Sequence, residues 1–397
     1  MTKAPRIRIL LVHTGADMYG ASRSFLRLSS RLVQDGHEVL AVLPYEGPLL
    51  DALCAAGVET RIDPGMTVFT RDRFRNAWRL LGLLATFPYS VYRFCSIIRK
   101  FRPEVVHTNT AVAVSPPVAA RCCGVPHLWH VREFFVDFPR LWPFYQWMIF
   151  TLSDRIACVS GAVASQFDHR YQRKTLVLHN GFPREEFQPV PAERTALFRQ
   201  KFGLDGHKTV GLVGRIKLGR KGQEVFVRAA AMIKAQFPDT RFLCIGSPFP
   251  GNDQHLERLE QLVDQLQLRD QFVYTGDVAD IKAAYSALDL SVLASAQPEP
   301  FGGVVIESMA MGVPVVGTAV GGTVEQIEDG VSGILVDPGD PQSMASAIAR
   351  LLSSPDLRKR FGAAARERFV KHFEFEPFYQ KMLSLYQSLA GDKGAHA

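Results

Sequence analysis

The stretch SAQPEPFGGVVIESMAMGVPVVGTAVGG, residues 295–322, is the most informative part of this 397-residue chain. Pro298 and Pro300 exclude a helix through its first part, because proline lacks the N–H donor and disfavours helical geometry at the residue before it. Glu299 stands between the two prolines. It is therefore predicted to lie on a loop.

One helix is predicted to follow this loop, beginning at Gly303 and ending at Gly312, the usual place for glycine after a helix. Glu307 then lies about one turn inside the helix. The N–H groups of Gly302, Gly303 and Val304 would point out of its N-terminus, where the helix dipole favours an anion or an oxygen-rich ligand. A carboxylate beside such donors suits sugar hydroxyls, since each hydroxyl can donate to the carboxylate while accepting from an N–H.

A buried strand, VPVVGT, comes next and leads into a second glycine pair, Gly321 and Gly322. A second helix is predicted to start at Thr323. Two helix N-termini are thus expected to converge on one ligand.

The stretch EPFGGVVIESMAMGVPVVGTAVGG, together with VGRIKLGRKG at residues 213–222, resembles the signature of retaining GT-B glycosyltransferases, in particular the large family 4. The two glutamates of that signature are eight positions apart, as Glu299 and Glu307 are here. The resemblance implies that Glu299 contacts hydroxyls of the donor hexose and that Glu307 holds the ribose of the nucleotide. The donor-binding residues expected on this basis are Arg215, Lys221, Glu299, Phe301, Gly302, Gly303, Glu307 and Gly20. The alternative is an ordinary Rossmann-like loop and helix with exposed glutamates.

Two basic side chains are the candidates for holding the donor's diphosphate. A strand at 209–213 places Arg215 at the carboxyl end of a parallel sheet, where ligands bind in open α/β folds, and Lys221 follows on the same loop or the next helix turn. By the resemblance, both stabilise the leaving nucleoside diphosphate in place of a metal ion. Arg220 and Lys217 are competing candidates, and either could instead be a surface charge.

The signals in the N-terminal half are weaker. The loop HTGADMYGAS has Tyr19 and Gly20 where the family usually has two consecutive glycines near the donor phosphates, so Gly20 is the predicted contact and Tyr19 stays open. His130, in LWHVREFF, matches a histidine that points at the donor sugar in relatives, although a buried, hydrogen-bonded histidine is the alternative. The predicted catalytic set is Glu299, His130, Arg215 and Lys221. Weaker candidates at the same end of the sheet are His107 and Asn109, and His179, Asn180 and Gly181 resemble the family's interdomain hinge.

The order of strand, glycine loop, helix and strand recurs in both halves and predicts parallel sheets with crossover helices. The predicted fold class is α/β, of the GT-B type, with two Rossmann-like domains whose parallel sheets face an interdomain cleft. The expected domains are an N-terminal acceptor-binding domain at 1–182, a C-terminal nucleotide-sugar-binding domain at 183–376, and a helix crossing back to the first domain, with a tail, at 377–397. Strands are predicted at 6–12, 37–43, 105–108, 128–131, 156–159, 209–213, 240–245, 271–274, 290–294 and 315–318.

Charge is distributed unevenly along the chain. Residues 1–184 contain 23 Lys and Arg against 13 Asp and Glu, whereas the remainder contains 23 against 26. Much of the excess lies in residues 71–102, where basic and aromatic residues alternate. This mixture predicts a peripheral contact with an anionic membrane, the alternative being a solvated helix face whose aromatics pack into the core. No nucleic-acid partner is expected, because no recognised binding motif accompanies the charge.

A cytoplasmic location is expected, with association to the inner face of the cytoplasmic membrane as an extension. The longest apolar run, Leu80–Tyr92, contains Gly82 and Pro88. It is shorter than the roughly 18 to 20 residues that a helix needs to cross a bilayer. No secretory signal is recognised. The six cysteines show no CxxC and are expected to be reduced.

The predicted reaction is transfer of a hexose from a UDP or GDP sugar to a hydroxyl of a saccharide or lipid-linked acceptor, with retained anomeric configuration, in cell-surface polysaccharide or glycolipid synthesis. No cofactor beyond this co-substrate is expected. No metal is expected either, because the motif lacks the paired aspartates of metal-dependent glycosyltransferases. Two alternatives are a GT-B nucleotide-sugar epimerase and a donor-binding subunit without catalytic activity.

Overall fold

The structure of the chain is a computed structural model that describes residues 6–69, 77–135 and 139–392. The chain forms two compact units. The first runs up to Gly181 and takes up the chain again from Glu376, and the second is Phe182–Phe375. Each unit is an α/β structure built on its own parallel sheet.

The sheet of the first unit has, in the described residues, seven strands in the order β3-β2-β1-β4-β5-β6-β7, and every neighbouring pair is parallel. Their order along the sheet reverses between β1 and β4, so the carboxyl ends of these two strands border the crevice where open α/β sheets bind ligands. The strands are β1 Arg8–Val12, β2 Glu38–Leu43, β3 Glu59–Ile62, β4 Val105–Thr108, β5 His127–Val131, β6 Arg155–Cys158 and β7 Thr175–Val177.

The sheet of the second unit has six strands in the part of the chain that is described, ordered β10-β9-β8-β11-β12-β13 and again parallel. Here the order reverses between β8 and β11. The strands are β8 Lys208–Val213, β9 Thr240–Ile245, β10 Phe272–Gly276, β11 Leu290–Leu293, β12 Val315–Thr318 and β13 Gly333–Val336.

Helices connect successive strands and cover the sheets. The helices of the first unit are Gly20–Gln34, Pro48–Ala55, Ala77–Phe101, Ser115–Cys122, Trp142–Leu152, Gly161–Ala164 and the last helix Phe375–Asp392. The first residue of that last helix, Phe375, is the last residue of the second unit. The helices of the second unit are Ala192–Lys201, Gln223–Ile233, Gln254–Gln265, Ile281–Ser286, Gly303–Ala310, Thr323–Gln326, Pro341–Ser353 and Pro355–His372. Short 3₁₀ helices occur at His169–Lys174 and Arg184–Phe187.

Both cores consist of strand residues buried against helices. In the first unit, Leu10 and Val106 of the sheet pack in one cluster with Phe94 from the helix Ala77–Phe101. In the second, Phe226 of the helix Gln223–Ile233 packs with Phe242 of β9. Because the strands are buried on both faces, they read as nearly continuous apolar runs, which is typical of parallel sheets.

The predicted α/β class and parallel sheets are confirmed, with two differences in detail. The edge strands β3, β7 and β13 were not predicted. β3 (ETRI) and β7 (TLV) carry little apolar signal, whereas β13 (GILV) is apolar and was missed. The helix predicted at Thr323 is a single turn, Thr323–Gln326. The predicted start at Thr323 is confirmed, and the convergence of the two helix N-termini on one ligand stays a prediction.

The helix Ala77–Phe101 is longer than the sequence indicated. It continues through Pro88 and past Arg93. Its part Leu81–Phe101 is apolar, and about a third of that part is buried. By length and composition alone, this segment of the described chain could cross a membrane, which corrects the prediction that no segment was long enough. A core helix of a soluble protein passes the same test, and Phe94 of this helix is buried in the first core.

The last helix, Phe375–Asp392, belongs to the first unit from Glu376 onward. Tyr379 Oη donates to Asp35 at 2.6 Å, and Glu376 accepts from Arg31 at 2.6 Å. Further along, Tyr386 Oη lies 2.7 Å from Nδ1 of His107. The end of the chain is therefore part of the first unit.

Candidate functional site

Arg215 lies on the loop that leaves the carboxyl end of β8. Gln223 Nε2 donates to the backbone oxygen of Arg215 at 2.9 Å, which holds the loop against the start of the next helix. The guanidinium carbon of Arg215 stands 4.8 Å from the centre of the Phe249 ring. Stacking on an aromatic face in this way helps to orient an arginine side chain.

Lys221 closes the same loop and forms an ion pair with Glu299, with Nζ 2.6 Å from Oε1. The second carboxylate oxygen of Glu299 accepts from Ser295 Oγ at 2.9 Å. Both oxygens of Glu299 are thus occupied, and both charged side chains are largely withdrawn from solvent. The loops after β8 and β11, neighbours at the centre of the second sheet, supply the two partners.

The Lys221 charge sets the ionisation of Glu299. Burial opposes ionisation and is the largest single influence, but the charge of Lys221 and the hydrogen bonds from Lys221 and Ser295 together outweigh it, so the pKa of Glu299 is lowered. Because the pKa is lower in the folded than in the unfolded chain, ionised Glu299 stabilises the fold above the ordinary glutamate pKa. That contribution is lost as the pH falls through the lowered value.

We expect the free energy of unfolding of wild type to exceed that of the Glu299→Gln variant by an amount that is constant between pH 6 and 8 and shrinks below about pH 4. The physical reason is that protonated Glu299 no longer attracts Lys221. Urea denaturation of both proteins across this range measures the difference. A gap that stays constant down to about pH 3 would show that the ion pair contributes nothing to folding.

The second glycine pair packs against the backbone of the glutamate loop. A Cβ on Gly321, whose φ is +54°, would lie 2.3 Å from the backbone oxygen of Glu299, and one on Gly322 would lie 2.3 Å from that of Pro300. Gly322 N also donates to the Glu299 oxygen at 2.8 Å. Only glycine allows this close approach, which fixes the loop carrying Glu299.

Gly302 caps the helix Gly303–Ala310, so the first-turn N–H groups, which have no partner inside a helix, start at the predicted position. Glu307 lies on this helix, and its Oε2 accepts from Tyr285 Oη at 3.0 Å. Phe301 is buried, with its ring 5.9 Å from that of Phe373. Phe301 therefore lies in the packing beneath the loop.

The structure brings the predicted residues of the second unit to one edge of its sheet. Lys221 and Glu299 are in direct contact, while Arg215 and Glu307 stand on elements that leave the same carboxyl ends. Lys217, a competing candidate, is joined to this loop through its backbone oxygen, which accepts from Lys221 N at 3.0 Å. Among the residues that the structure describes, no group of three His, Cys, Asp or Glu side chains is placed to hold a metal ion.

The first unit places His130 on β5, fully buried. Its ring stacks on that of His107 at 5.6 Å, and burial, followed by the charge of Arg132, lowers the pKa of both histidines well below the ordinary value. Both rings are therefore neutral. Nε2 of His130 is buried and has no hydrogen-bond partner in the structure.

Gly20 begins the helix Gly20–Gln34 at the carboxyl end of β1, and Tyr19 before it is half exposed. Asn109, at the end of β4, and Asn180, at the end of the first unit's main segment, both accept hydrogen bonds from Arg132. Asn180 thus makes a specific polar contact within the first unit, in addition to its predicted place in the hinge.

Two family models together match most of the chain. The Glycosyltransferase Family 4 model matches residues 18–186, and the Glycosyl transferases group 1 model matches residues 194–368. The chain belongs to this glycosyltransferase family. Its family 4 signature, predicted from residues 213–222 and 299–322, is confirmed.

Curated relatives are about one third identical to the chain over the part that they match. A D-inositol 3-phosphate glycosyltransferase of Corynebacterium urealyticum is 31% identical over 224 residues, which is 55% of this chain and 52% of that protein. An alpha-D-kanosaminyltransferase of Streptomyces kanamyceticus is 32% identical over 208 residues, 52% of each chain. The chain spans about half the length of the curated relatives it matches.

Solved glycosyltransferase structures resemble the chain over nearly its whole length. HepE of Anabaena, in complex with UDP-glucose, has a TM-score of 0.82 at 22% identity, covering 96% of this chain and 100% of that one. A glycosyltransferase of Rickettsia africae has a TM-score of 0.84 at 22% identity, with 97% and 99% covered. At this identity the likeness concerns the fold, which is the predicted GT-B fold.

Several residues at these edges were not identified from the family signature. Tyr285 and Ser295 hold the two glutamates, and the buried Gln326 donates to the Gly302 oxygen at 3.0 Å. Arg132 joins three segments of the first unit. Ser295 stands four residues before Glu299 and could have been found from the sequence, whereas the others lie far from their partners along the chain.

Proposed function

We propose that the chain transfers a hexose from a UDP or GDP sugar to a hydroxyl of a saccharide or lipid-linked acceptor, with retention of anomeric configuration. The observation that carries this proposal is the 2.6 Å contact between Lys221 and Glu299. It couples a cation suited to a diphosphate with a carboxylate suited to the hydroxyls of the attached sugar.

Electrostatic support of the leaving group is the main task of the second unit in this proposal. Negative charge grows on the diphosphate as the glycosidic bond to the donor breaks, and fixed cations stabilise it most effectively in a site that excludes water. Lys221 keeps two of its three N–H donors beyond the one aimed at Glu299. Arg215, oriented by Phe249, supplies a second cation on the same loop.

Retention follows from a front-face path. The bond between the sugar's anomeric carbon and the phosphate oxygen breaks, the acceptor oxygen bonds to the same face, and the acceptor's proton passes to the leaving phosphate. Glu299 is engaged by Lys221 and Ser295, and Glu307 by Tyr285, so neither carboxylate is free to act as a nucleophile. The charges of Arg215 and Lys221 take the role of a metal ion, and we propose that none is required.

The acceptor belongs to the first unit in this proposal. One relative is named a D-inositol 3-phosphate glycosyltransferase and another an alpha-D-kanosaminyltransferase. These names differ in the groups they mention and share glycosyl transfer, which supports that activity for this chain. We place the reaction in the cytoplasm, in the synthesis of a cell-surface polysaccharide or glycolipid.

A thermal-shift panel of UDP, GDP and their hexose derivatives tests the donor. A ligand bound only by the native state raises the melting temperature, and we expect one base to do so. NMR of the product formed from that donor with saccharide acceptors then reports the anomeric configuration. Donor binding without transfer to any acceptor, or a product of inverted configuration, would contradict the proposal.

Tyr285 is expected to support donor binding through Glu307. The Tyr285→Phe variant removes the hydrogen bond from Tyr285 Oη to Glu307 Oε2, and we expect the Kd of the nucleoside diphosphate to rise roughly five- to tenfold, about 1 kcal/mol. Isothermal titration calorimetry measures the change. Tyr274→Phe is the matched control, because the Tyr274 hydroxyl in the same unit has no hydrogen-bond partner. Equal affinities of the two variants would show that Tyr285 does not position Glu307.

We also propose a peripheral membrane contact through the helix Ala77–Phe101. Its large exposed side chains include Tyr89, 62% exposed, and Tyr92, 66% exposed, and the basic residues Arg99 and Lys100 lie in its last turn. Aromatic and basic side chains on one helix suit the interface of an anionic bilayer. The predicted segment also includes residues 71–76, which lie outside the described residues.

Sedimentation with vesicles containing phosphatidylglycerol tests this contact. Replacing Tyr89 and Tyr92 together by serine is expected to reduce the bound fraction several-fold, and raising the salt concentration is expected to reduce it further. Tyr45→Ser is the control, because Tyr45 is an exposed tyrosine of the same unit that lies on a loop outside this helix. Undiminished binding of the double variant would contradict this contact.

A further inference from the structure

Arg132 is a partly buried cation held by neutral side chains. It follows β5, and its guanidinium donates to Asn109 Oδ1 at 3.0 Å, to Asn180 Oδ1 at 2.6 Å and to Ser24 Oγ at 3.2 Å. Among the described residues, the hydrogen bonds of the guanidinium go to neutral groups. Burial, the largest influence, lowers the pKa of Arg132 to about 10, which reflects a charge that is not fully compensated.

Glu133 is the carboxylate next in sequence, yet it does not bind the guanidinium. Its Oε2 accepts from the backbone N–H groups of Ala111, at 3.0 Å, and of Arg132, at 2.9 Å. The attraction between Glu133 and the Arg132 charge acts only through space. The guanidinium is therefore hydrogen-bonded to neutral acceptors, and an anionic acceptor forms stronger hydrogen bonds than these and can replace them.

The position of Arg132 is that of a ligand site. Its partners come from the ends of several segments: Asn109 directly after β4, Ser24 from the helix that follows β1, and Asn180 after β7. The carboxyl ends of parallel strands are where open α/β sheets bind ligands. The sheet order also reverses between β1 and β4, beside this cluster.

His130 is a further neutral side chain beside Arg132. Its Nδ1 lies 3.4 Å from Nη2 of Arg132, so the ring accepts there and carries its proton on Nε2. This Nε2 is buried and without a partner. Because Nδ1 faces the guanidinium, Nε2 lies on the other side of the ring. His130 therefore gives Arg132 one more neutral acceptor and no negative charge.

The sign of the missing group follows from the charges around it. His13, His107 and His130 all have a lowered pKa, chiefly because of burial, and are neutral. Arg132 is therefore the positive charge of the cluster, and its planar fork matches two oxygens of one carboxylate or phosphate.

We propose that Arg132 binds an oxyanion, a phosphate or a carboxylate, carried by the acceptor. This inference rests on the proposed function only in naming the ligand as the acceptor; the oxyanion site belongs to the first unit alone. Asn109 and Asn180 hold the guanidinium in place, and the oxyanion replaces part of their contact with it.

Three probes with the same sugar ring test the site: glucose, glucuronate and glucose 6-phosphate. They are added to the full chain carrying Arg215→Ala and Lys221→Ala, so that the proposed diphosphate site is removed. We expect an anionic probe, but not glucose, to raise the melting temperature. Adding Arg132→Gln is expected to weaken this binding at least about tenfold, whereas Arg61→Gln, which removes an exposed arginine from the edge strand β3, leaves it unchanged.

A purely structural role for Arg132 predicts a different result. Arg132→Gln would then lower the melting temperature equally with and without the probe, and the probe-induced rise would persist. Arg132→Lys keeps the charge without the fork and provides a folded comparison if the glutamine variant is unstable, with weakened but measurable binding expected.

Phosphatidylglycerol vesicles distinguish a lipid-borne phosphate from a sugar-borne one. Arg132-dependent binding of the vesicles, or of either anionic sugar, supports the site. If none of these binds in an Arg132-dependent way, the inference is overturned. If the wild-type chain bound no nucleotide-sugar donor, the proposed function would be contradicted, but an Arg132-dependent binding of the anionic probes would still stand.

Discussion

The Lys221→Ala variant is expected to lose roughly 10²–10³-fold in kcat with the donor that the thermal-shift panel identifies. This is the loss expected when one preorganised charge-stabilising group is removed from an active site. Two effects add. The departing diphosphate loses a cation, and Glu299, buried beside Lys221 at 2.6 Å, loses the partner that keeps it ionised and oriented. Initial-rate kinetics with saturating donor and acceptor measure the loss.

Lys217→Ala is the matched control for this experiment. Lys217 is a lysine on the same loop, four residues earlier, but Lys221 is the one whose Nζ contacts the glutamate. We expect the control to keep its rate within about threefold, since single surface charges contribute little. A near-normal rate for Lys221→Ala, or a larger loss for Lys217→Ala, would exclude the assignment of Lys221 to the diphosphate.

The Gly222→Ala variant is expected to lose about 3 kcal/mol or more of folding free energy in the second unit. Gly222 has φ of +69° and precedes the helix Gln223–Ile233, and a Cβ there would lie 1.7 Å from the backbone oxygen of Ala294. An added methyl group therefore meets both an unfavourable left-handed backbone and an oxygen of the adjoining loop, which cannot yield as a flexible side chain would.

Gly219→Ala separates these two causes. Gly219 has a similar φ, +75°, but a Cβ there would meet no atom within 4 Å. It is expected to cost only about 1 kcal/mol, the penalty of the left-handed backbone itself. Urea denaturation of both variants measures the difference, and equal stabilities would show that the loops after β8 and β11 are not in the close contact described.

Much of the second unit could be predicted because its information is local. Prolines at 298 and 300 and glycines at 302 and 312 determine where the loop ends and the helix runs, and the structure has Gly303–Ala310 as expected. Parallel-sheet topology then brings the loops after β8 and β11 side by side. The contact between Lys221 and Glu299, 78 residues apart, follows from that adjacency.

Other parts of the sites depend on contacts that no local pattern contains. Tyr285, in the segment IKAAYSALDL, reads as a core residue, and its hydroxyl reaches Glu307 only because the two helices pack together. Arg132 stands next to Glu133 and reads as one half of an ordinary ion pair, whereas the backbone in fact holds the carboxylate. The length of the helix Ala77–Phe101 was missed because Pro88 suggested a break that the helix tolerates.

A lysine already tied down before any nucleotide arrives has a thermodynamic consequence. A free lysine side chain gives up about 2 kcal/mol of rotamer entropy when it is immobilised. In this chain Lys221 is restrained by Glu299 during folding, so the nucleotide meets a side chain that has little disorder left to lose. Calorimetry should therefore find a smaller entropic penalty for nucleotide association in wild type than in Glu299→Gln, where the Lys221 side chain keeps more rotamer freedom.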